Sequence, residues 1–153
     1  MQLRFFGRLA NLWASSSGRG RHMGIILHIT QRNAWNESAA GRYYAAASLT
    51  LEGFIHCSTT GQATDTLNRH FQNGSDLVCL CIDEQKLEAK VIYERPREIP
   101  LQEARTTELY PHLYGPINVS AVIRVVDLVP KADGSFQLPG EILDSLPGDA
   151  TSR

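Results

Sequence analysis

The chain has 153 residues, 42% hydrophobic and 20% charged, which suits one ordinary globular domain and excludes a collagen-like or wholly disordered chain. A formal net charge of −1 argues against a broad basic surface for nucleic acid, and no apolar run approaches membrane-spanning length. Cys57, Cys79 and Cys81 sit in apolar runs without a Cys-x-x-Cys pair, which removes zinc-ribbon and thioredoxin readings and suits reduced thiols in the cytoplasm.

Residues 1–22 differ from the rest. They carry Arg4, Arg8, Arg19 and Arg21 and no acid, so the remainder of the chain is net acidic. Phe5, Leu9, Leu12 and Trp13 give an apolar helical stripe ahead of Ser15-Ser16-Ser17-Gly18, the pattern of an organelle transit peptide. The other reading is that Met23 is the start, with a mis-started or disordered segment ahead of it. Either way a single domain is expected over 23–147, with 148–153 as a frayed tail.

Ile25 to Thr30 reads as the first strand, with Ile25, Leu27 and Ile29 on one face and Ile26, His28 and Thr30 on the other. Thr30 is placed to cap a helix over 31–39 that packs Trp35 inward and ends at Gly41. Arg42-Tyr43-Tyr44-Ala45 reads as a short aromatic strand or an extended loop, and Ser48 to Glu52 as a turn or short helix. Gly53-Phe54-Ile55-His56-Cys57-Ser58 is then a strand presenting Phe54, His56 and Ser58 on one face. Thr59 or Thr60 is expected to cap a second helix over 62–72, with Ala63, Leu67 and Phe71 at helical spacing.

Leu77 to Ile82 is apolar on both faces and reads as a central strand. One helical turn over 83–87 leads to a strand over 91–94 that stops at Arg95-Pro96. Residues 97–109 are polar and read as a surface insertion. Tyr110 to Pro116 holds His112 ahead of a proline-flanked turn, and Ala121 to Leu128 is a β-branched strand. Asp133-Gly134 marks a turn, Phe136 to Leu138 an edge strand, and 139–146 a last short helix. Strands with short interspersed helices indicate an α+β fold rather than a doubly wound sheet.

Three apolar contexts each hold a histidine: His28, His56 and His112. Such groups can work as acids, bases or ligands near neutral pH. Zinc is disfavoured, because no compact helical spacing and no obvious fourth ligand accompany them. A hydrolase using Ser58 or Ser48 with a histidine and Glu94 is also weakly supported. His56 and Ser58 stand about 6–7 Å apart along a strand, and no Gly-x-Ser-x-Gly elbow occurs. Tyr43, Tyr44, Tyr93 and Tyr114 offer faces for a flat ring, Tyr114 the best because Gly115-Pro116 fixes its backbone. The amides opening the second helix, just after Ser58, could hold a phosphate.

Leu27-His28-Ile29-Thr30, Gly53-Phe54-Ile55-His56-Cys57-Ser58 and Tyr110-Pro111-His112-Leu113-Tyr114-Gly115-Pro116 together resemble the family called domain of unknown function 952, over about residues 25–139. The fold of that family is similar to those of the ADP-ribosyltransferases and the NAD-dependent RNA 2′-phosphotransferases. The resemblance implies two small packed antiparallel sheets with short helices around a cleft. It implies NAD or a similar small-molecule nucleotide as ligand, with cleavage or transfer at the N-glycosidic bond. His28, with Thr30 beside it, matches the first-strand residue that grips the nucleotide, and Tyr44, Ser48, His56 and Ser58 match the pocket lining. The late catalytic glutamate of many such enzymes has no clear counterpart; Glu94 is the nominee, with His112 as a substitute for it. The acceptor is left unassigned, and a non-catalytic nucleotide-binding module is the alternative.

Overall fold

The computed structural model describes residues 24–96 and 108–144. The extension 1–22, all but the last two residues of the insertion, and the tail lie outside the described residues. In chain order the elements are β1 (Ile25–Gln31), α1 (Arg32–Ala39), β2 (Tyr43–Tyr44), α2 (Ala47–Glu52), β3 (Ile55–His56), α3 (Ala63–His70), β4 (Leu77–Asp83), β5 (Lys90–Glu94), β6 (Tyr110–Tyr114), β7 (Ile117–Asn118), β8 (Val122–Leu128) and α4 (Gly140–Asp144). Tight 3₁₀ turns occupy Glu84–Lys86 and Val119–Ala121.

The strands make two three-stranded antiparallel sheets, ordered β1-β4-β8 and β3-β6-β5, and a two-stranded ribbon of β2 with β7. The α+β class expected from the sequence is the class observed, with the ribbon as an additional layer. Strand β4 is central because it is apolar on both sides: Leu77 through Ile82 are all buried. Burying each of its larger side chains stabilises the fold by about 1.5–3 kcal/mol. One face, with Leu27, Ile29, Cys79 and Val126, packs against Ala63 and Leu67 of α3 and against Phe136 and Ile142. The other face, with Ile26, Val78, Leu80 and Ile82, meets Ile55, Cys57 and Leu113 of the second sheet, and Trp35 and Tyr44.

The two three-stranded sheets are stitched together where Leu27 and Ser58 exchange backbone hydrogen bonds, both at 2.8 Å. This junction brings β1 alongside the end of β3. The alternation read from the sequence holds here. Ile55 and Cys57 enter the core between the sheets, while Phe54, His56 and His112 form ring contacts on the opposite side.

Three expectations are corrected. Thr30 does not cap α1; Gln31 holds that position without a side-chain bond, and the Thr30 hydroxyl is taken by Tyr44. Neither Thr59 nor Thr60 caps α3. Gln62 precedes that helix, and its Oε1 accepts the Thr59 N–H at 3.0 Å. Phe136 to Leu138 is not a strand, because Asn68 takes both the Phe136 N–H at 2.7 Å and its carbonyl at 3.0 Å. His112 lies within β6, and the bend at Gly115-Pro116 follows that strand as expected. Pro111 is tolerated in β6 because it faces the end of β3, where its carbonyl accepts the Cys57 N–H at 3.1 Å and only the return bond is missing.

Candidate functional site

A cavity of about 730 Å³ opens where β1 meets the second sheet, a volume in the range of small-molecule sites. His28, His56 and His112, far apart in the chain, all line it, as do Thr30, Tyr44, Ser48 and Ser58. Glu94 and Tyr114 are set behind this wall: they touch His112 or one another but are not among the lining residues.

His28 is buried, and burial lowers its pKa to about 4, so the ring is neutral at pH 7. Its Nδ1 lies 2.8 Å from the His56 carbonyl, which can only accept, so the proton sits on Nδ1. Nε2 then accepts from the Tyr44 hydroxyl at 3.1 Å. The Tyr44 oxygen is 2.8 Å from Thr30 Oγ1; with the phenolic proton committed to His28, Thr30 donates to it. Desolvation raises the Tyr44 pKa, which keeps the phenol protonated for this task. His28, Tyr44 and Thr30 therefore form a closed chain in which each polar group has a partner.

His56 is exposed, its Nε2 held 3.0 and 3.1 Å from the two carboxylate oxygens of Glu52. Gly53, at φ +90°, reverses the chain after α2 and so turns Glu52 back toward the histidine four residues on. Sequence reading missed Glu52; its four-residue spacing from His56 across a glycine was the available signal.

His112 pairs with His56 across β3 and β6 and with Ile92 across β5 and β6. Its side chain is only 3% exposed. Phe54 stacks on the ring, with centroids 4.1 Å apart and planes at 21°. Nδ1 donates to Glu94 Oε2 at 2.9 Å, and the same oxygen accepts the Tyr114 hydroxyl at 2.7 Å. No fully buried side-chain nitrogen or oxygen among the described residues lacks a partner. Nε2 of His112, which has none among them, must therefore reach open space, and the open space His112 lines is the cavity.

Helix α3 adds Thr66, Arg69 and His70 to the lining, which three- and four-residue spacing puts on one helix face. Ser58 Oγ and Thr66 Oγ1 are 3.0 Å apart. The helix thus offers its flank, not its N-terminus: the Gln62 and Ala63 amides already bond the Thr59 carbonyl. Arg69 is the one permanently cationic side chain among the described lining residues, and it makes no ion pair among them. No group of three His, Cys, Asp or Glu side chains among the described residues is arranged to hold a metal ion. No helix among them is long and apolar enough to cross a membrane.

A family model described as "Protein of unknown function (DUF952)" matches residues 29–125, most of the two sheets that carry this cavity. The crystal structure of protein CC0527 from Caulobacter crescentus is similar, with 31% identity over 78% of this chain and 98% of that one and a TM-score of 0.66. The solution structure of CC0527 gives 33% identity over 76% and 95% of the two chains and a TM-score of 0.62. No curated protein matches the chain.

Proposed function

The chain belongs to the DUF952 family, and because that family is described as one of unknown function, we propose an activity from the cavity itself. It binds NAD or a similar nucleotide and cleaves or transfers at the N-glycosidic bond, on an ADP-ribosyltransferase-like arrangement of the two sheets. The observation that carries this reading is the gathering of His28, His56 and His112 around one cavity of about 730 Å³. Arg69 supports it, as a cation that lines the same cavity, makes no ion pair among the described residues and suits a phosphate. Tyr44 supplies an aromatic wall, tilted against His28 with ring centroids 5.4 Å apart.

Breaking a ribosyl C–N bond develops positive charge on the sugar, which a nearby carboxylate stabilises. Glu94 is set behind His112, so the carboxylate given that task here is Glu52, which lines the cavity. His28, neutral and fixed by two hydrogen bonds, is a positioning group rather than a proton carrier.

Calorimetric titration with NAD, followed by chromatographic detection of free nicotinamide, tests the proposal. Binding with nicotinamide release, both lost in His56→Ala and Glu52→Gln, supports it. Binding without release supports the second reading, a non-catalytic nucleotide module, which His28 favours because both its ring nitrogens are already committed. Absence of binding refutes both.

A further inference from the structure

We propose that His112 is the base of this cavity, taking on Nε2 the proton of an attacking hydroxyl, and that Glu94 is a positioning residue acting through it. The electrophile rests on the nucleotide reading above; the identity of the base does not. The three histidines differ in what their ring nitrogens already do. Both nitrogens of His28 are occupied, and burial holds its pKa far below neutrality. His56 is 46% exposed, with Nε2 engaged by Glu52. His112 is nearly enclosed, lines the cavity, has Nδ1 on a carboxylate, and has no partner at Nε2 among the described residues.

A carboxylate that accepts from Nδ1 fixes the tautomer in which Nε2 carries the lone pair, and it stabilises the imidazolium formed when that lone pair takes a proton. Tyr114 shares the same oxygen of Glu94, which restrains the carboxylate, and Phe54 stacked on the ring restrains the imidazole. Glu94 and His112 sit on adjacent strands, Glu94 opposite Tyr110, two residues from His112, so strand alternation puts both side chains on one sheet face. Base, orienter and second donor are thus presented by one rigid pair of strands.

In the step inferred, the oxygen of a hydroxyl forms a bond to the anomeric carbon. The C–N bond breaks, and its electron pair leaves with nicotinamide, discharging the pyridinium. The hydroxyl proton moves to His112 Nε2 and is then lost to solvent. One NAD and one hydroxyl compound give nicotinamide, the O-ADP-ribosyl product and one proton. An imidazole suits this acceptor class because a hydroxyl becomes acidic as its C–O bond forms. Water and an alcohol share that chemistry.

Two measurements on the intact chain decide the matter. The first is nitrogen-15 NMR of the His112 ring without ligand. An Nδ1–H tautomer with bare Nε2 is expected, and an Nε2–H tautomer overturns the proposal whatever the ligand. The second is nicotinamide release by His112→Asn and Glu94→Gln, with folding checked by the thermal transition. His112→Asn is expected to lower kcat at least about 100-fold. Glu94→Gln is expected to lower kcat about tenfold or more, with KM within about twofold, and to mix the His112 tautomers, an effect absent from a merely structural glutamate. Turnover by His112→Asn within about threefold of the parent overturns the proposal. With methanol present, ADP-ribose alone identifies water as acceptor and a methyl glycoside identifies an alcohol. If the parent chain releases no nicotinamide, the nucleotide reading fails, and the tautomer result alone decides the base.

Discussion

Acidification should weaken this fold through one identifiable side chain. His28 titrates near pH 6.5 when unfolded, but burial lowers its folded pKa to about 4. Above pH 6.5 both states are neutral and the group contributes no pH dependence. As the pH falls below that value the unfolded chain takes up a proton that the folded chain refuses, so stability is lost down to about pH 4, below which the loss levels off. Between pH 7 and pH 5 this loss is about 2 kcal/mol, worked from the two pKa values. The perturbation that isolates it is His28→Gln, whose amide can still donate to the His56 carbonyl and accept from Tyr44 but does not titrate. Urea denaturation of both proteins at pH 7 and pH 5 gives four stabilities. The parent should lose about 2 kcal/mol more than the variant across this interval, the other titrating groups cancelling in the difference. Equal losses would refute the claim that His28 is held neutral by burial.

Tyr44→Phe deletes the hydroxyl between His28 and Thr30 and leaves two buried polar atoms without their partner, so urea unfolding at pH 7 should show a loss of about 1–3 kcal/mol. Burial pushes the Cys57 thiol up to about 12, and Cys79 and Cys81 are fully enclosed in β4, so a thiol-specific disulfide reagent should label none of the three in the native protein. All three should react in denaturant, and fast native labelling would contradict the packing.

The long strands were legible because their pattern is local. Strand β1 alternates, β4 is apolar throughout, and β8 is β-branched, so each announces its face within six or seven residues. Strands β2 and β3 were legible as well, but β7 has only two residues, too few for periodicity to register, and none of these three short strands declares its partner. Their pairing is created by distant partners, Tyr44 opposite Ile117 and His56 opposite His112. Thr30 shows the same limit from another side. Threonine ahead of a helical pattern is a sound capping signal, but here the Thr30 hydroxyl is turned to a buried tyrosine oxygen 14 residues later and not to the helix amides. Pro116 rightly marked the turn after His112, but Pro111 hid the strand before it, where one missing ladder bond at the end of β3 is all that it costs the sheet.

The site was legible as a set of residues but not as a set of roles, and electrostatics supplies the reason. Histidine is informative in a sequence because small changes of environment move its proton, and for the same cause its environment must be seen before its task can be named. His28 becomes a fixed neutral connector because it is enclosed among a carbonyl, a phenol and apolar strands. His112 is enclosed just as fully, yet its Nδ1 meets a carboxylate and its Nε2 has no partner among the described residues, which is why we assign the role of base to it and not to His28. The two glutamates divide in the same way. Glu94 read as the substrate-facing carboxylate because it ends a strand at Arg95-Pro96, but strand pairing sets it beside His112 instead. Glu52 gained the cavity through the left-handed turn at Gly53, a conformation that glycine permits at almost no steric cost. A substitution such as Gly53→Val should therefore affect the position of Glu52 before it affects packing, since a Cβ at Gly53 would meet no atom within 4 Å and the strain would lie in the backbone alone.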